Sequence, residues 1–125
     1  MMRRLALILL PLLLFGAFDQ RIFEDALQRA KKEHKIVLLE ATSPQCHYCR
    51  WMERTTLKDP EVQKTLGKHF IFLQVDVTKE QLPLGLDWSL TPSFIFITPQ
   101  KKVLKTVPGA WKKKDFLMIL HEVIR

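Results

Sequence analysis

The chain predicts an α/β domain built on a mixed four-stranded sheet with helices on both faces. Apolar, strand-like runs at 35–41, 70–77, 93–98 and 102–107 are interleaved with stretches of helical apolar spacing. The first two runs are separated by a long helical crossover, which permits parallel pairing. The last two are joined only by Pro99-Gln100-Lys101, which makes them a hairpin. A length of 125 residues, 47% hydrophobic and 26% charged, suits one globular domain and leaves no room for a second.

Each element has a local reason. Ile22, Phe23, Ala26, Leu27 and Ala30 recur at helical spacing, so a helix is expected from Asp19, as N-cap, to Glu33. Lys35 to Ala41 is apolar without alternation, as for a strand covered on both faces. Thr42-Ser43-Pro44-Gln45 ends it, and a helix is expected from Cys46 to Leu57. Asp59-Pro60 is a cap followed by proline at the first helical position, opening a short helix through Val62 and Leu66 that ends near Gly67. Phe70 to Val77 is β-branched and aromatic, hence a strand. Pro83 and Gly85 oppose a regular helix between Thr78 and Trp88, so one short, distorted helix is expected there. Pro108-Gly109 turns the chain into a last helix, Lys112 to Ile124, whose buried face is predicted at Phe116, Ile119, Leu120, Val123 and Ile124.

The N-terminus reads separately. Met1-Met2-Arg3-Arg4 precedes an uncharged run from Leu5 to Phe18, the pattern of an export signal. Residues 1–17 are therefore expected to be a signal peptide or, because bulky Phe15 spoils the cleavage site, an uncleaved N-terminal anchor; residues 18–125 form the domain. Export places the protein in the periplasm or another oxidising compartment, where disulfides persist. The net charge of +7 falls in short lysine runs without aromatic interleaving or any nucleic-acid motif, so solvated faces are expected rather than a nucleic-acid surface.

The two cysteines of the chain, Cys46 and Cys49, flank His47 and Tyr48. They sit where a strand ends and a helix begins, so partial positive charge and free N–H groups favour a thiolate on Cys46. That placement suits reversible dithiol–disulfide exchange, since a structural bridge closing so small a loop would stabilise little. Arg50 stands where c-type haem attachment requires histidine, and His34, His69 and His121 lack ligand spacing, which argues against haem and metal. No nicotinamide or flavin motif is present, so no cofactor is expected.

Thr91-Pro92 before the Phe94–Ile97 run, the turn at Gly109 and the strings Leu57–Val62 and Val75-Asp76-Val77 complete the pattern. Together with Cys46–Cys49, the chain over residues 19–125 resembles the thioredoxin superfamily, and within it the small exported thioredoxin-like proteins. The resemblance implies the thioredoxin fold. It also implies a cis peptide bond at Thr91-Pro92 facing the cysteines, where the Thr91 backbone pairs with an extended substrate peptide; the bland alternative is a trans turn before a strand. The chain departs from the usual pattern at Gln45, where tryptophan is common, and at His47-Tyr48, where Gly-Pro is common.

Roles follow. Cys46 is the nucleophile and Cys49 resolves the mixed disulfide. His47, if protonated, stabilises the thiolate; otherwise it is an exposed spacer. Tyr48 is a surface element beside the substrate. Glu40 stands where the family carries an acid, usually aspartate. It moves a proton during attack by Cys49, or else it is a strand-end carboxylate in contact with Lys35 or another surface lysine. The function expected is an exported thiol–disulfide oxidoreductase that reduces partner proteins, monomeric and recharged by a membrane-bound electron donor. An oxidase or isomerase on the same fold, and a redox-inactive binding module, are the alternatives.

Overall fold

A computed structural model describes residues 20–125. The segment 1–17 and the Asp19 cap fall outside the described residues. Four helices, α1 (Gln20–Glu33), α2 (His47–Arg54), α3 (Pro60–His69) and α4 (Lys113–Ile124), alternate with four strands, β1 (Ile36–Thr42), β2 (Phe70–Asp76), β3 (Ser93–Ile97) and β4 (Val103–Pro108). The sheet order is β2-β1-β3-β4. β1 runs parallel to β2 and antiparallel to β3, which pairs antiparallel with β4. The mixed sheet and hairpin are those expected from the order of elements.

Strand pleating divides the core in two, because successive side chains point to opposite faces. Val37, Leu39 and Ala41 join Ile95 and Ile97 under α1, where Phe23, Ala26, Leu27 and Ala30 fill the space. Leu38, Phe94 and Phe96 face the other way, against Met52 of α2, Val62 and Leu66 of α3, and Phe116, Leu117 and Leu120 of α4. Phe94 and Phe116 stack with ring centroids 5.0 Å apart. Each fully buried side chain of this size contributes roughly 1.5–3 kcal/mol.

Several boundaries differ from the sequence reading. α2 stops at Arg54, not Leu57. The Thr55 N–H is shared between the Trp51 and Met52 carbonyls, and a separate 3₁₀ turn, Thr56–Lys58, follows. The Thr56 hydroxyl donates to the Trp111 carbonyl at 2.6 Å, so a tertiary bond replaces continued helix. α3 continues through Gly67 to His69, since β2 begins immediately and leaves no residues for a linker. The distorted helix between Thr78 and Trp88 shrinks to one 3₁₀ turn, Pro83–Gly85, with Leu84 and Gly85 both at positive φ. Ile22 is half exposed, and Leu117 takes the place of Ile119, Val123 and Ile124 among the buried residues of α4.

Candidate active site

Three segments meet at the N-terminal end of α2. The Ser43–Cys46 turn closes with the Cys46 N–H donating to the Ser43 carbonyl at 3.2 Å, and the Arg50 N–H donates to the Cys46 carbonyl at 3.1 Å. Cys46 is thereby the N-cap, its backbone extended at φ −81°, ψ 108°. Its sulfur takes the part a serine or aspartate oxygen plays at other helix starts: Sγ accepts from the Cys49 N–H at 3.1 Å. Cys46 and Cys49 are joined as a disulfide, with Cα atoms 5.2 Å apart. Cys46 is partly exposed whereas Cys49 is fully buried. The outer sulfur therefore meets solvent and the inner one meets only the protein.

Thr91 and Pro92 face this pair. The Thr91–Pro92 peptide bond is cis, and the Thr91 carbonyl oxygen lies 3.3 Å from Cys46 Sγ. Gly109, at φ 97°, donates its N–H to the Pro92 carbonyl at 2.8 Å. That backbone conformation favours glycine because it lacks Cβ. A cleft of about 430 Å³ opens beside the reactive pair, lined by Tyr48, Leu90, Thr91, Pro92, Gly109 and Ala110. The residue after Ala110 is tied to α2: Met52 Sδ accepts from the Trp111 N–H at 3.0 Å. Tyr48 is 66% exposed, and its ring meets that of His47 edge-on at 5.9 Å. Both side chains between the cysteines thus stand on the open surface.

Glu40 lies in the middle of β1 with no exposed surface. By the pleat it points to the same face as Leu38, towards α2. Its register partners are Gln74 on β2 and Phe94 on β3. Gln74 Nε2 donates to Glu40 Oε2 at 2.9 Å, while Oε1 is buried without a hydrogen-bond partner. Burial pushes the carboxyl up from 4.5 to about 7; the Gln74 hydrogen bond opposes this, Glu53 adds to it, and Arg50 opposes it. The alternative contact with Lys35 does not form: Lys35 Nζ binds Glu33 and the Gly67 carbonyl instead.

The structure thus gathers Cys46, Thr91, Pro92 and Tyr48 at one surface, with His47 beside them, Cys49 buried behind Cys46, and Glu40 on the sheet face that α2 covers. Sequence reasoning missed Gln74, Arg50, Leu90 and Ala110. Only Gln74 carried a signal, as the lone uncharged polar residue inside an otherwise apolar strand pattern. No helix among the described residues is long and apolar enough to cross a membrane.

The chain is similar to known proteins in sequence and in fold. The thioredoxin-like family profile matches residues 19–99. Spermatogenesis-associated protein 20 of Mus musculus is 33% identical over 60 residues, which is 48% of this chain but 7% of that protein's length. The chain thus spans a small part of the curated relative it matches there. A thioredoxin from Thermus thermophilus superimposes with a TM-score of 0.68 at 26% identity, covering 81% of this chain and 82% of that one. A disulphide isomerase from Xylella fastidiosa Temecula1 gives a TM-score of 0.72 at 20% identity, over 87% and 93% of the two chains, a likeness of fold alone. With the sheet order, the cysteine pair at the tip of α2 and the profile match in agreement, the chain belongs to the thioredoxin-like family.

Proposed function

We propose that the protein is a thiol–disulfide oxidoreductase, and that it works as an exported reductase of oxidised partner proteins. The observation that carries this reading is the setting of Cys46 Sγ: it caps α2, accepts an N–H bond from Cys49, and lies 3.3 Å from the carbonyl of Thr91, a residue that lines a surface cleft. In the reduced pair, the partial positive charge of the helix N-terminus favours the thiolate form of a sulfur so placed.

The steps follow from this geometry. The Cys46 thiolate attacks one sulfur of a client disulfide; that S–S bond breaks, and the client's other sulfur leaves as a thiolate. The client segment lies along Thr91, next to the Tyr48 and Leu90 side chains. Cys49 passes its proton toward Glu40, attacks Cys46 Sγ and expels the remaining client thiolate. Two electrons have then moved from the dithiol to the client, and the pair is left as the disulfide seen here. A carboxyl near 7 suits the acceptor's part, because a base works best with a pKa close to the working pH. His47, exposed beside Cys46, favours the thiolate when it carries a proton.

Recharging would come from a membrane-bound donor, and the protein would act as a monomer; export rests on the basic start and uncharged run of residues 1–18. The polar, exposed His47-Tyr48 pair favours a second reading, an oxidase or isomerase duty for the same chemistry. Cys46→Ser should abolish reduction of a model protein disulfide, and Cys49→Ser should accumulate a mixed disulfide at Cys46. Turnover unaffected by either change contradicts the assignment. A reduction potential near about −270 mV supports the reductase, and one near about −120 mV the oxidase.

A further inference from the structure

Arg50 directly follows Cys49, and its guanidinium is divided among several groups. Nη2 lies 3.0 Å from Glu53 Oε1, 3.2 Å from the Ser43 carbonyl and 3.3 Å from Thr42 Oγ1. Thr42 is two residues beyond Glu40 on the same strand and so on the same face. Two buried polar atoms of this cluster have no hydrogen-bond partner: Nε of Arg50, a donor, and Oε1 of Glu40, an acceptor. Such orphans are uncommon in folded proteins because each carries an unrecovered desolvation cost. Here a cation and a buried acid stand in one cluster without bonding to each other, and Glu53 is the carboxylate that occupies the cation.

The other neighbours do not compete for that part. β2 presents Gln74, which is neutral, and Asp76, whose charge acts on Arg50 but whose own bonds go to Thr78. β3 presents Phe94 across from Glu40. α2 supplies the charges that act on Glu40, which are Arg50 and Glu53.

We infer that Glu53 is a positioning residue for the exchange reaction: its carboxylate holds the Arg50 guanidinium in the Thr42–Ser43 bracket, away from Glu40, and so keeps Glu40 able to take the proton that Cys49 releases. Without Glu53, the hydrogen-bond acceptors left to Arg50 in the bracket are neutral; of the two remaining carboxylates near it, Asp76 is held by Thr78, and the buried Glu40 has an oxygen free to take the guanidinium. A charge-assisted bond between them would hold Glu40 ionised and weaken it as a base. This inference rests on the assignment of Glu40 as proton acceptor in the proposed function.

The test follows the Glu40 carboxyl by ¹³C NMR across pH in the full chain and in Glu53→Gln, Glu53→Asp, Arg50→Gln and the Glu53→Gln/Arg50→Gln double variant. Glu53→Gln should lower the Glu40 midpoint by about one pH unit or more. Glu53→Asp should largely restore it, and in the Arg50→Gln background the same change should shift it much less. Release of client from the preformed mixed disulfide should slow in Glu53→Gln at neutral pH and recover in Glu53→Asp. An equal shift in both backgrounds reduces Glu53 to a through-space charge and overturns the inference, as does no shift at all. Absence of exchange by the unmodified chain overturns the functional reading instead, whatever the titration shows.

Discussion

The two faces of the sheet draw on the same strands and do different work. Under α1, Val37, Leu39, Ala41, Ile95 and Ile97 form an apolar layer with Phe23 and its helical neighbours. On the other face, the alternate residues of β1 are Leu38, Glu40 and Thr42; they face α2, where Leu38 packs with Met52 and Thr42 bonds Arg50. One layer supplies stability and has no titratable group in it. The other gives up apolar burial at its centre to hold a carboxyl with one oxygen unpartnered. A core that is uniformly apolar on one side lets the other side carry an uncompensated acid, since total stability is the sum over both. The divide falls within a single strand, one residue at a time.

The sharpest way to break this contrast is on the α1 face. Phe23→Ala should cost about 3–5 kcal/mol in denaturant unfolding, while disulfide exchange per folded molecule stays unchanged. A change in exchange rate there would show that the two faces are coupled. Glu40→Gln probes the opposite face with the opposite sign. Because the folded carboxyl titrates at about 7 instead of 4.5, the native state holds the proton longer than the unfolded chain. Stability is then fullest below pH 4.5 and falls as pH rises to 7, by about 3 kcal/mol in all. In Glu40→Gln this slope should vanish from urea midpoints measured across that window, while resolution of the mixed disulfide slows. A smaller effect is expected at the seam between α2 and α4. Thr56→Val removes the 2.6 Å bond to the Trp111 carbonyl and should cost about 1 kcal/mol in thermal unfolding, without altering the Glu40 titration.

What could be read from the residues alone follows the same line. The strands, the hairpin, the capped start of α3 and the cysteine pair opening α2 rest on local chemistry, and all were legible. The end of α2 was not, because Trp51 to Leu57 remains compatible with a helix and only the distant Trp111 carbonyl stops it. Between Thr78 and Trp88 the proline and glycine announced a break but not its form, a single turn with Leu84 at positive φ. Glu40 stood out as an acid in an apolar run, yet its partner was hidden: Gln74 lies 34 positions away and meets it only through the β1–β2 register. The Arg50–Glu53 bracket is not legible locally, because Thr42 and Ser43 complete it from the end of β1 and the turn after it. The cleft walls at Leu90 and Ala110 are set by chain crossings that no local pattern encodes.

The central claim is that Cys46 and Cys49 cycle between dithiol and disulfide as one unit. Equilibrating the full chain in glutathione buffers of graded potential, then quenching with an alkylating reagent and weighing the products, measures this directly. Both thiols should disappear together in a single two-electron transition, with no species alkylated at one cysteine alone except a glutathione adduct at Cys46. A pair that stays wholly oxidised or wholly reduced across the range, or that titrates as two independent thiols, contradicts it.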